Sequence, residues 1–217
     1  MILGLDTATA ATAVALWAPD GPEVERRDDP PPGERPGHSS RLLPLVEEVL
    51  AAAHASWADV DRIAVGVGPG GFTGLRLGIA TARALAQARE LPLAGVSSLE
   101  ALAAGRRDVL AVIDARRGEV FAAGWRGGEL VLGPLAIAPA DLAARVEPGT
   151  PAVGDGAVRF RAELERAGAA VPADGSPVHR VSALAICRLG RAGRPADRDT
   201  LLPDYRREPD AKPRTLP

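Results

Sequence analysis

Residues 62–89 read RIAVGVGPGGFTGLRLGIATARALAQAR, and this stretch decides the fold. Residues 62–67 are mostly apolar and typical of a buried strand. A glycine-rich turn follows at residues 68–74, and residues 75–89 then place apolar side chains at helical spacing on one face. A strand, a turn and a helix in this order predict an α/β fold.

The glycine-rich turn supports two interpretations. Backbone N–H groups at the start of a helix form a general anion site. The turn contains no lysine, so it is not a P-loop, and its spacing differs from that of a dinucleotide-binding fingerprint. Alternatively, the glycines permit close packing of the backbone against a neighbouring element. The residues alone leave both interpretations open.

The N-terminal sequence predicts two antiparallel strands, Ile2–Asp6 and residues 9–17, which meet at a turn containing Asp6 and Thr7. A carboxylate and a hydroxyl at such a turn can hold a phosphate or orient metal-bound water. An ordinary hydrogen-bonded Asx turn explains the same residues and is the favoured interpretation.

A loop and a helix are predicted between this turn and residue 62. Residues 19–37 hold six prolines and a mixed run of charges, which predicts an irregular loop. Residues 41–55 predict an amphipathic helix whose apolar stripe includes Leu42 and Leu45.

The histidines do not form a metal-binding pattern. His38 stands just before the predicted helix, where a second histidine four residues later could share a metal ion, but that position is Leu42. We expect a solvated or capping role for all three histidines, His38, His54 and His179.

A second unit begins at residue 109. Residues 109–114, Glu119–Arg126 and residues 129–132 predict three antiparallel strands, with Asp114 close to the first turn. Arginines beside Asp114 would keep its carboxylate ionised, which suits ion pairing better than general acid catalysis. Carboxylates from the Asp6 and Asp114 turns could face each other across a cleft, but a charged hairpin tip explains Asp114 and is the favoured interpretation.

The two units share an order of elements. Each opens with a strand, an Asp-bearing turn and two further strands, and then alternates helices with strands. Gly154 belongs to a later turn of the second unit, which could hold a nucleotide or simply turn the chain. We therefore predict two lobes, residues 1–105 and residues 106–217.

The composition excludes several classes of function. The 217 residues have a net charge of −2, which argues against a generally basic nucleic-acid-binding body. Lys212 is the only lysine and Cys187 the only cysteine, so Schiff-base chemistry in the body of the chain and a thiolate zinc cluster are excluded. Cys187 has apolar neighbours and is expected to be a packed thiol. No apolar run is long enough to span a bilayer, so we expect a cytoplasmic protein.

Six segments of the chain together resemble one family. They are ILGLDTAT at 2–9, HSSRLLP at 38–44, GPGGFTGLRLG at 68–78, VSSLEAL at 96–102, DARRGEVF at 114–121 and PDYR at 203–206. With these segments the chain resembles the TsaB (YeaZ) family, a subunit of the bacterial tRNA threonylcarbamoyladenosine machinery. The segment at 68–78 is the most specific of the six.

The resemblance implies both a fold and a role. The fold would consist of two ribonuclease-H-like lobes of the actin, hexokinase and heat-shock-chaperone superfamily, each a mixed sheet flanked by helices. The protein would pair with a catalytic paralogue, TsaD, and a small ATPase, TsaE, to modify the adenosine that follows the anticodon. Transfer RNA would be bound only through this complex, and the chain alone would form a homodimer.

The chain departs from its catalytic relatives at two places. The resemblance implies two metal-binding histidines four residues apart in the paralogue, and the second position here is Leu42. Phosphate turns of the superfamily place glycines after the aspartate, whereas alanine and two arginines follow Asp114. The resemblance therefore implies a scaffold without catalytic residues, metal or resident cofactor, although a nucleotide at the partner interface is left open. The remnants of phosphate turns would be Asp6, Thr7, Asp114 and Gly154.

The resemblance also implies that the helices of the first lobe contact the partner. We expect exposed side chains there to form the interface, namely Leu42, Leu45, Leu75, Ile79 and Arg83. Two other classes remain open: an independent actin-like ATPase or glycoprotease-like hydrolase, and a tRNA-binding module. The near-neutral charge disfavours the latter, because affinity for RNA depends on neutralising phosphates.

Overall fold

The computed structural model describes residues 1–31 and 33–206, which form two mixed β-sheets flanked by helices. The first sheet has five strands in the order β3-β2-β1-β4-β5. Its elements are β1 (Ile2–Asp6), β2 (Thr12–Trp17), β3 (Glu23–Asp28), α1 (His38–Ala52), β4 (Arg62–Gly68), α2 (Phe72–Ala88), β5 (Leu93–Ser97) and α3 (Ser98–Ala103).

The second sheet has four strands in the order β8-β7-β6-β9. Its elements, with the last helix of the described chain, are β6 (Val109–Arg116), β7 (Glu119–Arg126), β8 (Glu129–Ile137), α4 (Pro139–Ala143), β9 (Ala152–Val153), α5 (Asp155–Arg159), α6 (Arg161–Arg166) and α7 (Ala183–Ala192).

The two sheets repeat one pairing pattern. In the first sheet, β1 pairs antiparallel with β2 and parallel with β4. In the second sheet, β6 pairs antiparallel with β7 and parallel with β9. The structural duplication predicted from the order of elements is confirmed, and so is the fold class of two mixed sheets flanked by helices.

The helices and sheets alternate in layers. Helices α1 and α2 pack on one face of the first sheet, and α4, α5 and α6 pack on the far face of the second. Helices α3 and α7 lie between the two sheets and share one apolar core with both of them.

Small side chains allow α7 to lie very close to the first sheet. A Cβ atom added at Gly4 would stand 2.5 Å from the Cys187 sulfur, and one added at Gly190 would stand 2.5 Å from the Ala64 Cβ. Cys187 is fully buried in this layer, and burial raises the pKa of its thiol. Its expected role as a packed thiol is confirmed.

The prediction of a loop over residues 19–37 is wrong in its central part. The charged run there forms the edge strand β3, in which Glu25 is paired with Ala15. The Glu25 carboxylate accepts hydrogen bonds from the Ser182 hydroxyl at 2.8 Å and from the Ala183 backbone N–H at 3.0 Å. The charges therefore belong to a strand that caps the start of α7, a long-range contact that local composition does not reveal.

Most other elements lie where the sequence places them. Strand Glu119–Arg126 has the predicted bounds. The sequence also predicts that Ser182 caps a last helix that runs through Gly190, and Ser182 does cap α7. Helix α2 begins at Phe72 rather than at residue 75, and Gly71 precedes its first turn without a side-chain cap. The sequence of residues 158–167 predicts one helix, whereas the structure divides this region between two short helices, α5 and α6.

The division of the chain at residues 105 and 106 stays a prediction. The two sheets fall on either side of it, but α7, which follows the second sheet in sequence, packs against β1, β2 and β4 of the first. Within residues 1–31 and 33–206, no helix combines the length and apolarity needed to cross a membrane. The tail from Arg191 is rich in arginine, proline and aspartate, which predicts irregular structure, and its last eleven residues, 207–217, lie outside the described part.

Candidate functional site

The turn between β1 and β2 packs against the glycine-rich segment that decides the fold. The Thr7 hydroxyl donates a hydrogen bond to the Gly74 carbonyl at 2.8 Å, and the Gly71 N–H donates to the Ala8 carbonyl at 2.7 Å. These two contacts join the first loop of the chain to the start of α2, across more than sixty residues of sequence.

Glycines occupy the positions that face this turn because the space between turn and backbone has no room for a side chain. A Cβ at any one of four glycines would overlap an atom of the turn. Gly66 faces the Asp6 carboxylate, Gly70 the Ala8 carbonyl, Gly74 the Thr7 carbonyl and Gly78 the Thr7 hydroxyl. The structure therefore favours close packing over an anion site as the reason for the glycine-rich sequence.

Asp6 is directed into the protein. Its carboxylate accepts hydrogen bonds from the Ala8 N–H at 3.1 Å and from the Ser98 hydroxyl at 3.3 Å, and the residue is only 1% exposed. Burial raises the pKa of Asp6 to about 6, although both hydrogen bonds act in the opposite direction. The Asp6 carboxylate is thus occupied by internal contacts.

His38 is also part of the interior. Its Nδ1 lies 2.8 Å from the Thr12 hydroxyl, and its ring lies against Gly74. Burial lowers its pKa, so the neutral form is favoured. Leu42, four residues later, is 1% exposed and belongs to the core under α1.

The expectation of a solvated or capping role is wrong for two of the three histidines. His38 and His179 are both buried, whereas His54 is exposed. His179 Nδ1 lies 3.1 Å from the Gly154 N–H, and its Nε2 lies 3.1 Å from the Pro172 carbonyl. His38 therefore ties the start of α1 to β2, and His179 holds the turn at Gly154.

The second aspartate turn has different partners from the first. The Asp114 carboxylate pairs with Arg159 at 2.7 Å and with Arg116 at 3.3 Å. The Asp114 backbone N–H donates to the Asp155 carboxylate at 3.0 Å, and burial raises the pKa of Asp155. Asp114 is thus an ion-paired residue, as its neighbouring arginines predict.

A small cleft lies between the turn that joins β1 to β2 and residues 155–180. Its volume is about 130 Å³, below the roughly 300–1,000 Å³ of typical small-molecule sites. Gly154, beside this cleft, is tied to His179, and a Cβ there would overlap the Val112 carbonyl. The residues that line the cleft are Thr9, Ala10, Ala11, Arg27, Asp29, Pro30, Asp155, His179 and Arg180.

The expectation that four leucine and isoleucine side chains are exposed is wrong. Leu42, Leu45 and Leu75 are each 1% exposed, and Ile79 is 4% exposed. Their helical periodicity marks the face that packs on the first sheet rather than the face that meets solvent. The assignment of an interface to α1 and α2 stays a prediction. The side chains that these helices direct outward are residues other than these four.

The outward surface of these helices is nevertheless apolar in places. Leu43 of α1 is 52% exposed and Phe72 of α2 is 47% exposed. A groove of about 510 Å³ runs between α2 and residues 201–205, and Ile79 and Arg83 are among the residues that line it. We call this feature the α2 groove.

An aromatic cluster stands at the start of α2. The Phe72 and Tyr205 rings stack with their centroids 5.3 Å apart, and the Arg76 guanidinium carbon lies 3.7 Å from the Phe72 centroid. Sequence reasoning missed this cluster, although Phe72 and Tyr205 each belong to a segment that carries the family resemblance. Their separation by 133 positions hides the contact from any local pattern.

The fold defines a class of protein. Solved structures with a similar fold include the Acidaminococcus fermentans (R)-2-hydroxyglutaryl-CoA dehydratase component A, with a TM-score of 0.52, 12% identity and coverage of 88% of this chain and 97% of that one. A hexokinase of the ROK family from Thermus thermophilus has a TM-score of 0.51 and 11% identity, over 88% of this chain and 99% of that one. The chain therefore has the actin-like ATPase type of fold.

Closer comparisons give the family. YeaZ from Pseudomonas aeruginosa has a TM-score of 0.77 and 30% identity, over 94% of this chain and 98% of that one. Residues 31–174 match the model of the tRNA N6-adenosine threonylcarbamoyltransferase family, TsaD. The chain belongs to the TsaB (YeaZ) family, as the six segments predict.

One of two similar curated relatives carries the same family name, and the other is uncharacterized. The Escherichia coli tRNA threonylcarbamoyladenosine biosynthesis protein TsaB is 45% identical over 134 residues, which cover 59% of this chain and 56% of the relative. An uncharacterized protein of Mycobacterium tuberculosis is 38% identical over 218 residues, which cover 98% of this chain and 94% of the relative. The chain thus matches about half the length of the curated relative named TsaB.

The glycine contacts predict an unusual sign for one substitution. Replacing glycine by alanine inside a helix ordinarily stabilises a protein by about 1 kcal/mol. At Gly74 the added methyl group would overlap the Thr7 carbonyl, so we expect Gly74→Ala to lower the free energy of unfolding by about 1–3 kcal/mol. Urea unfolding measures this change.

Gly71→Ala provides the matched control in the same segment. Its Cβ would stand 3.6 Å from the Ala8 carbonyl, an ordinary contact, so we expect a change within about 0.5 kcal/mol. Stabilisation by Gly74→Ala would show that the turn does not press against α2.

Burial of Asp6 predicts a pH dependence of stability. The folded protein retains the Asp6 proton up to about pH 6, whereas the unfolded chain releases it near pH 3.8. Because the folded state binds more protons in this window, this residue should make stability fall as the pH rises from about 4 to about 6, by on the order of 3 kcal/mol. Asp6→Asn should remove that fall, as measured by urea unfolding at several pH values.

The control for this titration is Asp20→Asn, at an exposed position. If wild type and Asp6→Asn lose stability in parallel between pH 4 and pH 7, Asp6 is not the titrating group.

Proposed function

We propose that this chain is a non-catalytic subunit of the machinery that makes N6-threonylcarbamoyladenosine in tRNA. The proposal is supported by the TsaB relatives, which are tRNA threonylcarbamoyladenosine biosynthesis proteins, and by the match to the TsaD family model over residues 31–174. It is supported further by the similarity to YeaZ over nearly the whole length of both chains.

The contacts of the turns support a role without catalysis. Asp6 is buried against Ala8 and Ser98, and Asp114 is held by two arginines. His38 bonds to Thr12, and Leu42 stands where the resemblance implies a second metal-binding histidine in the paralogue. The groups that would hold phosphate or metal in an active relative are committed to the internal structure of this chain.

The protein instead acts through its surface, by binding the catalytic TsaD-like paralogue. The main observation behind this proposal is the location of the exposed apolar side chains. Among the described residues, four of the six exposed large apolar side chains lie on α1, on α2 or on the segment packed against α2, and the other two lie on β8. They are Leu43, Phe72, Leu202 and Tyr205, with Leu130 and Val131 on β8.

Helices α1 and α2 offer a surface of suitable size and shape. They contain 15 and 17 residues, enough to contribute much of the roughly 800 Å² that a specific interface needs from each side. The exposed residues Ala80 and Ala84 of α2 are small, so a partner helix can approach closely.

The remaining assignments follow from this surface. A TsaE-like ATPase and tRNA join through the complex with the paralogue. Without the paralogue, two copies of the chain pair through the same face, because exposed apolar patches favour self-association.

Leu43 is the sharpest test of the α1 side of this interface. We expect Leu43→Asp to raise the dissociation constant for the purified paralogue at least tenfold, because it places a charge on an apolar contact. Isothermal titration or co-purification measures the loss. Ile79→Asp is unsuitable, because Ile79 is 4% exposed and its replacement would disturb the core.

Val131→Asp is the matched control. Val131 is 56% exposed, much like Leu43 at 52%, but it lies on β8 of the second sheet. We expect it to bind the paralogue as the wild type does. Wild-type binding by Leu43→Asp, or equal losses in both variants, would contradict the assignment of the interface to α1.

A further inference from the structure

The C-terminal segment of the described chain is fastened to the first sheet beside α2. The Ala196 N–H donates to the Leu93 carbonyl at 2.7 Å, and the Asp204 N–H donates to the Val67 carbonyl at 2.7 Å. Leu201 fits over Gly95, where a Cβ would stand 2.7 Å from the leucine side chain. The segment therefore has a defined path along the edge formed by β5 and the end of β4.

This path places Tyr205 against α2. The Tyr205 hydroxyl accepts a hydrogen bond from Arg76 Nε at 2.8 Å, and its ring stacks on Phe72. The Arg76 guanidinium lies over the Phe72 ring and within 5.8 Å of the Tyr205 centroid. Two aromatic rings and one hydroxyl thus fix the orientation of an exposed guanidinium.

The charge of Arg76 is not compensated within the described residues. No carboxylate of residues 1–31 or 33–206 lies within ion-pair distance of it. The other arginine of the α2 groove, Arg83, has a loose ion pair of 3.7 Å with Asp199, whose side chain is 92% exposed. The α2 groove is therefore apolar along its floor, with two positive groups beside it.

We propose that the segment 201–205 and α2 together form the docking site for an acidic amphipathic helix of the catalytic paralogue. This inference rests on the proposed function and adds the C-terminal segment, Tyr205 in particular, to the interface. A carboxylate of the incoming helix pairs with the Arg76 guanidinium, and its apolar side chains enter the groove beside Leu202. The two arginines supply the charge complementarity that selects an acidic helix.

The geometry explains why this site would contribute strongly to affinity. Arginine and tyrosine are enriched among residues that dominate binding energy. An arginine already held by stacking loses little conformational freedom when it pairs with a carboxylate, and its planar group can form two parallel hydrogen bonds. Leu202, which is 71% exposed, gains an apolar environment when the groove is filled.

Two substitutions test the site with the purified paralogue as the probe. We expect Arg76→Gln to raise the dissociation constant at least tenfold and to weaken its dependence on salt, because the charge is lost. Tyr205→Ala should raise it by a similar factor. Tyr205→Phe, which keeps the stacked ring but loses the hydroxyl that holds Arg76, should have an intermediate effect of about threefold.

Val131→Asp serves again as the control, and thermal unfolding checks that each variant is folded. If Tyr205→Ala shifts the melting temperature, the affinity of Arg76→Gln decides whether the site exists. Arg76 is an exposed residue of α2, so its replacement should leave the fold intact. Wild-type affinity and salt dependence in Arg76→Gln would overturn the proposal, as would an effect confined to self-association of this chain.

The outcome separates this inference from the proposed function. If Leu43→Asp weakens binding while the Arg76 and Tyr205 variants bind as the wild type does, the C-terminal segment is not part of the interface and the proposed function stands. If the wild-type chain does not bind the paralogue at all, both proposals fail.

Discussion

The contact between the first turn of the chain and the glycines of β4 and α2 governs the arrangement of the first lobe. Thr7 and Ala8 reach the backbone of α2 only because Gly70, Gly74 and Gly78 have no side chains. This contact fixes α2 on the sheet with one face buried and the other outward. Any side chain at these glycines would lift the helix and move the surface that it presents.

The same contact occupies groups that an anion site would use. A glycine-rich turn that leads into a helix is a common place for an anion, but here the Ala8 carbonyl accepts the Gly71 N–H. Asp6 points inward to Ser98, and His38 fills the space beside Gly74. Residues with the chemistry of a phosphate site thus hold α2 in place, an arrangement that agrees with the interface proposed for its outer face.

Sequence patterns predicted the elements that depend on local information. Strand Glu119–Arg126 ends at glycine turns on both sides, and Ser182 caps α7 directly, so both were predicted correctly. Strand β3 was missed because its charged residues form ion pairs within this region and a hydrogen bond with the start of α7 only in the folded protein. Proline-rich surroundings on both sides made it look like a loop.

The candidate site was predicted less well for a physical reason. Apolar periodicity reports which side of a helix is buried, so Leu42, Leu45, Leu75 and Ile79 mark the core and not the interface. The outward cluster combines Phe72 and Arg76 with a tyrosine that reaches them from the end of the described chain. Family resemblance identified both segments, but only the fold brings them together.

Reconstitution of threonylcarbamoyl transfer from purified components tests the central claim most directly. The assay compares modification of tRNA by the TsaD-like paralogue and the TsaE-like ATPase with and without this chain, and by this chain alone. The account predicts substantial modification only when this chain and the paralogue are both present. Modification by this chain alone, or a paralogue whose rate is unchanged by its addition, would contradict it.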